Sequence, residues 1–302
     1  MSYRVGVDTG GTFTDLVALS DRGAMIVHKL PSDPAAPERV LLEGLAGLAG
    51  RVSLDVNTFL GECDVVVLGT TVALNTLIQR NGARTGLLVT QGHEDSIEIR
   101  LGHKEDGHRW DFRYPAATPI VPAHRRLGVR ERVLADGRVH QLLDEAQLRE
   151  QLHELVRLKV DAVAISCLWS FLHPAHEQRI EVLVREAMPE CFVSSSLAIL
   201  PRLGEYTRTS TTVANAYVGP AMRKYVKQIE TALSDEGFAG TLFVMQSNGG
   251  VTTPEVLLER PVVALNSGPA GGPVAALWYG EQVGSRDVIS VDMGGTSFDI
   301  CL

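Results

Sequence analysis

One short pattern occurs twice in this chain, once near the start and once near the end. Residues 5–16 read VGVDTGGTFTDL, and residues 289–300 read ISVDMGGTSFDI. Asp, Gly, Gly, Thr and Asp recur at identical spacing, so that Asp292 follows Asp8 at a distance of 284 positions. Two copies of one turn so far apart predict two lobes that face each other.

Each copy predicts a strand, a tight turn and a second strand. The alternating apolar residues before each aspartate suit half-buried strands, and adjacent glycines let the N–H groups of the turn form an anion-binding concavity. An aspartate beside an anion is unfavourable unless a hard cation lies between them, and Mg²⁺ binds through one or two carboxylates and phosphate oxygens. A single copy also fits an ordinary glycine hairpin with a capping aspartate, but recurrence at matched spacing favours a phosphate site.

The duplicated turns resemble the phosphate-binding hairpins of the actin, sugar-kinase and heat-shock ATPase superfamily. Residues 269–280, just before the second copy, resemble the connecting helix of that superfamily. The resemblance implies an α/β fold, with one ribonuclease-H-like lobe and the first hairpin of a second similar lobe. It also implies ATP and Mg²⁺ as cofactors. The chain contains no G-x-x-x-x-G-K-[ST] pattern, so it is not a P-loop protein.

Longer segments narrow the resemblance to one family. The first turn reads DTGGTFTD, residues 69–92 run from GTTVALNT to LLVTQG, residues 205–217 read EYTRTSTTVANAY, and residues 245–250 read MQSNGG. These segments are similar to the hydantoinase A, 5-oxoprolinase and acetone carboxylase beta-subunit family. That family usually has an aromatic residue where this chain has His93, which predicts a different substrate preference.

The family resemblance assigns roles to individual residues. Asp8, Asp292 and Thr12 are the expected catalytic residues, and the two aspartates are the expected magnesium ligands. The expected nucleotide-binding residues are Gly10, Gly11, Thr12, Thr14, Thr71, Gly294, Gly295 and Thr296. The expected substrate-binding residues are Thr70, His93, Asp95, Arg208, Asn215, Ser247 and Asn248.

Several of these residues have simpler explanations. Thr70 or Thr71 suits the start of a helix as a cap, and residues 246–250 suit a plain hairpin turn. The polar stretch 91–113 is by default a solvated loop. His93, His103 and His108 within it have no recognised metal-binding spacing. Arg208 and Asn215 are two helical turns apart and so project the same way, but that face could also be solvated.

Composition limits the partners of the chain. With 302 residues and 45% apolar content it is long enough for two lobes with a sizeable core. A net charge of −8 argues against nucleic acid or an anionic membrane as the main partner. No apolar run reaches the length of a membrane span, and no signal peptide is evident. The four cysteines lack metal-type spacing, and we expect a cytoplasmic protein with reduced thiols.

These observations lead to a functional hypothesis and its alternatives. We expect residues 1–198 to form an N-terminal region with the first phosphate hairpin. Residues 199–302 would begin a second region that the sequence cuts short, so that the chain is the N-terminal part of a longer enzyme. The expected activity is ATP-dependent hydrolysis of a cyclic amide, such as a hydantoin or 5-oxoproline, with a second large hydantoinase-B-like subunit as partner. An ATP-dependent carboxylase subunit and a nucleotide-gated binding protein remain as alternatives.

Overall fold

The computed structural model describes residues 2–102, 106–114, 118–293 and 298–302. The chain divides into two compact units: unit 1 comprises Met1–Ile78 and Ala221–Leu302, and unit 2 comprises Gln79–Pro220. Unit 1 is thus discontinuous in sequence. The expected division into residues 1–198 and 199–302 stays a prediction, because it concerns family regions that are continuous in sequence. The two compact units are defined by contacts in space.

The strands are numbered along the chain. They are β1 (Tyr3–Thr9), β2 (Phe13–Ser20), β3 (Met25–Pro31), β4 (Cys63–Thr70), β5 (Thr85–Thr90), β6 (Arg126–Val129), β7 (Arg132–Val133), β8 (Val139–Gln141), β9 (Ala162–Ser166), β10 (Phe192–Ser195), β11 (Thr241–Met245), β12 (Val251–Thr252), β13 (Ser290–Met293) and β14 (Phe298–Cys301).

The α-helices are numbered in the same way. They are α1 (Pro37–Arg51), α2 (Val56–Gly61), α3 (Val72–Ile78), α4 (Ser96–Ile99), α5 (Glu145–Arg157), α6 (Ala175–Ala187), α7 (Ser196–Ile199), α8 (Glu205–Asp235), α9 (Pro254–Glu259) and α10 (Ser267–Gln282). No helix among the described residues is long and apolar enough to cross a membrane.

Unit 1 is built on a six-stranded sheet in the order β12-β11-β4-β1-β2-β3. Strands β1, β2 and β3 are antiparallel neighbours, whereas β4 and β11 continue parallel to β1. This is the ribonuclease-H-like topology of actin-type and sugar-kinase-type ATPases, and the second copy of the motif forms the separate hairpin β13–β14. The fold class expected from the sequence is therefore confirmed.

Alternation along β1 and β2 determines which face of this sheet is buried. Val5, Val7, Leu16 and Ala18 point into the core, while the residues between them point to the other face. Helix α1 packs on β2 and β3 from the core side, with buried leucines at helical spacing. The opposite face carries the polar residues of the duplicated motif, which is the face that matters for the site.

Unit 2 contains a four-stranded parallel sheet in the order β10-β9-β5-β6. Every residue of β5 and β9 is buried, as expected for central parallel strands covered on both faces. One cluster of buried side chains joins the sheet to α5 and α6, and another contains Val213 and Ala216 of α8. After β5 the chain adds β6 on one side of it, and it then adds β9 and β10 on the other side. The sheet is therefore doubly wound, and its switch point lies between β5 and β9.

Several local features of unit 2 follow from single residues. Strands β7 and β8 form a hairpin around Gly137, which has a φ of 82°. Asp144 caps α5 by accepting a hydrogen bond from the Gln147 N–H at 3.0 Å. Pro220 lies inside the 31-residue helix α8, which continues through it. Unit 2 ends at this proline and unit 1 resumes at the next residue.

Candidate active site

Three parallel strands of unit 1 end at the same edge of its sheet. Strand β1 ends at Thr9, β4 at Thr70 and β11 at Met245. Because the carboxyl ends of parallel neighbours meet, this edge collects Asp8, the two threonines at the end of β4 (Thr70 and Thr71) and the turn after β11. Ligands of open α/β sheets bind outside the carboxyl ends of their strands, so this edge is the candidate site.

A row of four residues crosses the sheet beside this edge. Asp8 lies opposite Gly69 of β4 on one side and opposite Asp15 of β2 on the other, and Asp15 lies opposite Lys29 of β3. The Lys29 Nζ donates to both Asp15 carboxylate oxygens, at 2.8 and 2.7 Å. The row therefore presents two carboxylates and one ammonium group on the face away from the core.

The row lines a cavity of about 880 Å³. Asp292, the aspartate of the second copy of the motif, lines the same cavity together with Asp8 and Asp15. Helix α10 contributes Gly268, Gly271, Gly272 and Ala275 to its wall. The small residues of this helix leave the space open.

Two glycines make room for the Asp8 carboxylate. A Cβ atom on Gly69 would lie 3.0 Å from Asp8 Oδ1, and one on Gly268 would lie 3.9 Å from the same oxygen. Gly268 is the second residue of α10, so the carboxylate lies beside the N-terminus of a 16-residue helix. The positive end of the helix dipole favours negative charge at this position.

The electrostatics of Asp8 indicate a cation site. Burial raises the pKa of its carboxyl group most, and the nearby carboxylates of Asp15 and Asp292 raise it further, whereas Lys29 lowers it. The carboxylates of Asp15 and Asp292 thus disfavour the charge of Asp8, and a hard cation beside Asp8 would offset that repulsion. Within the described part of the chain no group of three or more acidic, histidine or cysteine side chains is placed to hold a metal ion by itself. The arrangement suits a cation shared with phosphate oxygens.

The first glycine turn joins β1 to β2. The Gly10 N–H donates to the Phe13 carbonyl at 3.1 Å, and a Cβ atom on Gly10 would lie 3.0 Å from that oxygen. Glycine at this position is thus explained by space, and its φ is not positive. Thr12 is exposed at the turn. Thr14, expected to bind nucleotide, is buried, and its hydroxyl pairs with that of Ser32 at 2.9 Å.

Thr70 and Thr71 are tied to neighbouring segments of unit 1. Thr70 is buried, its carbonyl accepts from the Ser267 hydroxyl at 2.8 Å, and its own hydroxyl accepts from the Val72 N–H at 3.3 Å. The Thr71 hydroxyl donates to the Thr9 carbonyl at 3.3 Å. These bonds join the ends of β1 and β4 to the start of α10. Both threonines therefore shape the edge on which Asp8 lies.

Ser247 and Asn248 form the turn after β11. The Ser247 hydroxyl accepts from the Asn266 N–H at 2.9 Å, and the Asn248 side-chain oxygen accepts from the Gly250 N–H at 2.9 Å. Gly249 has a φ of 82°, which explains the glycine at this position. Both polar side chains are exposed. They remain available to a ligand at this edge.

Two residues expected to bind substrate are buried in unit 2. Arg208 is 2% exposed, and its guanidinium donates to the carbonyls of Cys167 at 2.7 Å and Arg202 at 3.2 Å. Asn215 is 0% exposed and donates to the Ser194 hydroxyl at 3.0 Å. They do project from one helix as expected. However, that face is packed against strand ends, so the structure favours a structural role for both.

His93 and Asp95 lie in the loop after β5. His93 contacts Glu205 and Arg132, and Asp95 pairs with Arg126 at 2.8 Å. Asp95 is therefore already neutralised by an arginine. The remaining predicted residues Gly294, Gly295 and Thr296 lie outside the described residues, as does His103.

Lys29 and Arg51, which also line the cavity, had no sequence signal. Asp15 did have a signal, because it recurs in both copies of the motif, but its position gave it no role. The register of three antiparallel strands brings Lys29 to Asp15 across 14 positions of sequence. Sequence spacing alone does not reveal such a pairing, because register depends on the lengths of two turns.

The fold and this edge define a class of protein: an ATPase-like α/β chain in which two aspartates of a duplicated glycine turn share a cavity. Comparison with known proteins is consistent with that class. The model of the hydantoinase/oxoprolinase N-terminal region matches residues 4–188, and the hydantoinase/oxoprolinase model matches residues 208–302. The chain belongs to the hydantoinase/oxoprolinase family.

Individual relatives are similar over nearly the whole chain. Caprolactamase subunit alpha of Pseudomonas jessenii is 46% identical over 300 residues, which cover 99% of this chain and 43% of the relative. The gamma subunit of acetophenone carboxylase from Aromatoleum aromaticum is 34% identical over 309 residues, covering 99% and 42%. The crystal structure of the ATP-dependent caprolactamase from Pseudomonas jessenii matches with a TM-score of 0.90, 46% identity and coverage of 99% and 43%. The chain thus spans less than half the length of these relatives.

Proposed function

We propose that this chain is the nucleotide-binding part of an ATP-dependent hydrolase that opens a cyclic amide. The observation that carries the proposal is that Asp8 and Asp292 line one cavity. They are the corresponding aspartates of two phosphate-type turns. A nucleotide triphosphate held between the two turns would meet both carboxylates.

The residues present fit a magnesium ion. Asp8 and Asp292 would hold it, directly or through water, and phosphate oxygens would complete its coordination. When bound, Mg²⁺ neutralises charge that develops on the phosphates during transfer. The raised pKa of the Asp8 carboxyl group, which comes first from burial and then from the charges of Asp15 and Asp292, supports this assignment, because a cation beside Asp8 would offset the repulsion from those two carboxylates.

The residues of the chain itself bind and orient the reactants. Gly10, Gly11 and Thr12 would hold phosphate oxygens through the N–H groups of their turn. Lys29 and Arg51 supply positive charge at the cavity wall. Ser247 and Asn248, exposed at the same sheet edge, would hydrogen-bond the amide. In phosphoryl transfer, such positioning and charge neutralisation account for most of the rate enhancement.

The proposed reaction solves a specific chemical problem. An unstrained lactam resists water because resonance with nitrogen weakens its carbonyl carbon as an electrophile. Transfer of the γ-phosphoryl group to the carbonyl oxygen forms the new O–P bond and releases ADP. Water then adds to the carbon, and the ring C–N bond breaks as nitrogen takes a proton, which leaves an acyl phosphate. A second water hydrolyses the acyl phosphate to a carboxylate and free phosphate. The products are ADP, phosphate and a ring-opened amino acid.

The comparisons support this class of reaction without deciding its substrate. One relative is named as a caprolactamase subunit and another as a carboxylase subunit. A carboxylase would phosphorylate a ketone or bicarbonate with the same phosphate turns, and it is the second candidate. Because both relatives are named as subunits, we also propose a second large subunit as partner.

Substrate-stimulated ADP release tests the proposal. Purified protein, with and without its partner subunit, is incubated with ATP and Mg²⁺ and with caprolactam, 5-oxoproline, hydantoin, or acetone plus bicarbonate. We expect a cyclic amide to stimulate ADP release above the basal rate. Stimulation by acetone plus bicarbonate alone would support the carboxylase. A rate of ATP hydrolysis that none of these small molecules changes would support a nucleotide-gated binding protein.

Gly69→Ala tests the space beside Asp8. The added Cβ atom would lie 3.0 Å from Asp8 Oδ1, so the carboxylate must shift. We expect kcat/KM for ATP to fall about tenfold, since small displacements of a catalytic group are costly. Steady-state ADP release measures the effect. Gly61→Ala is the control because nothing lies within 4 Å of its added Cβ atom; equal activity of the two variants would contradict the role of Asp8.

A further inference from the structure

We propose that unit 2 carries a second small-molecule site, which binds a carboxylate group through Arg132. The site lies at the carboxyl edge of its parallel sheet and is formed by Arg132, His93, Glu205 and Ser96. Nothing in the proposed nucleotide chemistry requires it.

The hydrogen bonds around His93 fix the roles of its two ring nitrogens. Arg132 Nη1 lies 3.1 Å from His93 Nε2. Because a guanidinium can only donate, Nε2 must accept, and the ring proton lies on Nδ1. Nδ1 faces Glu205 Oε1 at 3.3 Å, and the Ser96 hydroxyl donates to the same oxygen. Glu205 and Ser96 therefore orient the imidazole that holds Arg132.

Arg132 differs from the other arginines of this region. Arg126 pairs with the carboxylates of Asp95 and Glu98, and Arg130 lies 3.7 Å from Asp144. Among the described residues Arg132 forms no ion pair, and the imidazole of His93 is its hydrogen-bond partner. It is also only half-exposed. A partly desolvated guanidinium without a carboxylate is positioned to accept one from a ligand.

The same sheet edge shows two further signs of a functional site. Arg208, three residues after Glu205 in the first turn of α8, has a buried Nε atom that finds no hydrogen-bond partner in the part of the chain that the structure describes. Trp169, three residues after the end of β9, has a φ of 56°, which is rare for a bulky residue. Backbone strain and unsatisfied buried donors are both concentrated at functional sites. The switch point between β5 and β9, where such sheets bind ligands, lies at this edge.

The charges of the cluster select the ligand. The planar fork of Arg132 matches a carboxylate, which can accept two parallel N–H bonds. Glu205 lies against His93. A dianionic phosphate would be repelled by this carboxylate more strongly than a monoanion. A small organic acid with one carboxylate is therefore the ligand class.

Binding of two matched lactams without nucleotide tests the site. 5-Oxoproline and 2-pyrrolidinone share one ring and differ in the carboxylate. By calorimetry we expect the wild-type protein to bind 5-oxoproline and to bind 2-pyrrolidinone at least about tenfold more weakly, because a charge-assisted pair is lost. Arg132→Gln should weaken 5-oxoproline binding by about 10- to 100-fold. Arg138→Gln, at an exposed surface pair with Asp136, should leave it unchanged.

A spectroscopic readout separates binding from general damage. In protein labelled with ¹⁵N-histidine, the His93 resonances, assigned with His93→Gln, should show the Nδ1–H tautomer. Adding 5-oxoproline should shift its Nε2 signal, because the ligand draws Arg132 away. Equal affinity for both lactams, binding unaffected by Arg132→Gln, or preference for inorganic phosphate would overturn the proposal. Failure of ATP turnover would leave these measurements unaffected, because they use no nucleotide.

Discussion

Asp8→Asn is expected to reduce ATP turnover by about a thousandfold or more while the protein stays folded. The substitution keeps the shape of the side chain but removes the charge that would hold the cation beside the phosphates. Loss of one preorganised electrostatic contact at a reacting group typically costs 10²- to 10³-fold, and loss of a metal ligand adds to this. Single-turnover measurements of ADP formation give the effect on chemistry, apart from product release.

The same substitution should slightly stabilise the protein at neutral pH. Burial and two neighbouring carboxylates raise the pKa of Asp8 above its usual 3.8. The folded state therefore prefers the protonated form, and this stabilisation is lost as pH rises through the raised pKa. Asp8→Asn removes the dependence, so its advantage in Tm should grow from acidic toward neutral pH. We expect an increase of at most about 2 °C, because the carboxylate is partly exposed to solvent.

Asp64→Asn is the matched control for both measurements. Asp64 is an exposed residue of β4 in the same sheet. The Asp64→Asn variant should leave ATP turnover unchanged. Full ATP turnover by Asp8→Asn would exclude Asp8 from the reaction, and a lower Tm at pH 7 would contradict the electrostatic explanation.

Glu177→Ala is expected to lower the free energy of unfolding of unit 2 by about 3–5 kcal/mol. This carboxylate is 0% exposed. It accepts hydrogen bonds from the N–H groups of Cys167 and Leu197, at 2.8 and 2.9 Å, and from the hydroxyls of Ser195 and Ser196. Removing it leaves these buried donors without an acceptor. Urea denaturation followed by circular dichroism measures the loss.

Two further variants make this prediction decisive. Glu181→Ala, one turn later on the same helix, removes only a surface pair with Arg185 and should cost less than about 0.5 kcal/mol. Glu177→Gln keeps most of the shape and should cost less than the alanine variant, so it can be measured if Glu177→Ala does not fold. Equal stability of Glu177→Ala and Glu181→Ala would show that the buried network contributes little.

The sequence reveals the role of Asp8 but not that of Glu177. Asp8 lies in a motif that occurs twice at identical spacing, and chance does not readily produce such a repeat. The β1–β2 hairpin around Asp8 forms as the alternation of apolar residues predicted. Glu177 lies in an ordinary amphipathic helix, α6, where a glutamate usually faces solvent. Its donors come from the ends of β9 and β10, which the helix meets only after folding. No local pattern identifies it.

The residues expected to bind substrate also divide into features that the sequence predicted and contacts that it did not. Arg208 and Asn215 share a helix face, as their spacing of seven predicted, but packing buries that face. His93 was recognised because the chain departs from the family pattern there. Its partners Arg132 and Glu205 are 39 and 112 positions away, and a single sequence does not connect them.

The sequence by itself determined the strands and glycine turns of the duplicated motif and membership of the hydantoinase/oxoprolinase family, because each depends on short-range spacing or on a recognisable motif. Only the tertiary structure decided which charges share a cavity. Strand register brought Lys29 to Asp15, and parallel strand ends brought Thr70 and Ser247 to the edge beside Asp8. Such contacts join residues that are far apart in sequence, and they depend on how sheets and helices pack. The free energy of that packing is the sum of many weak contacts.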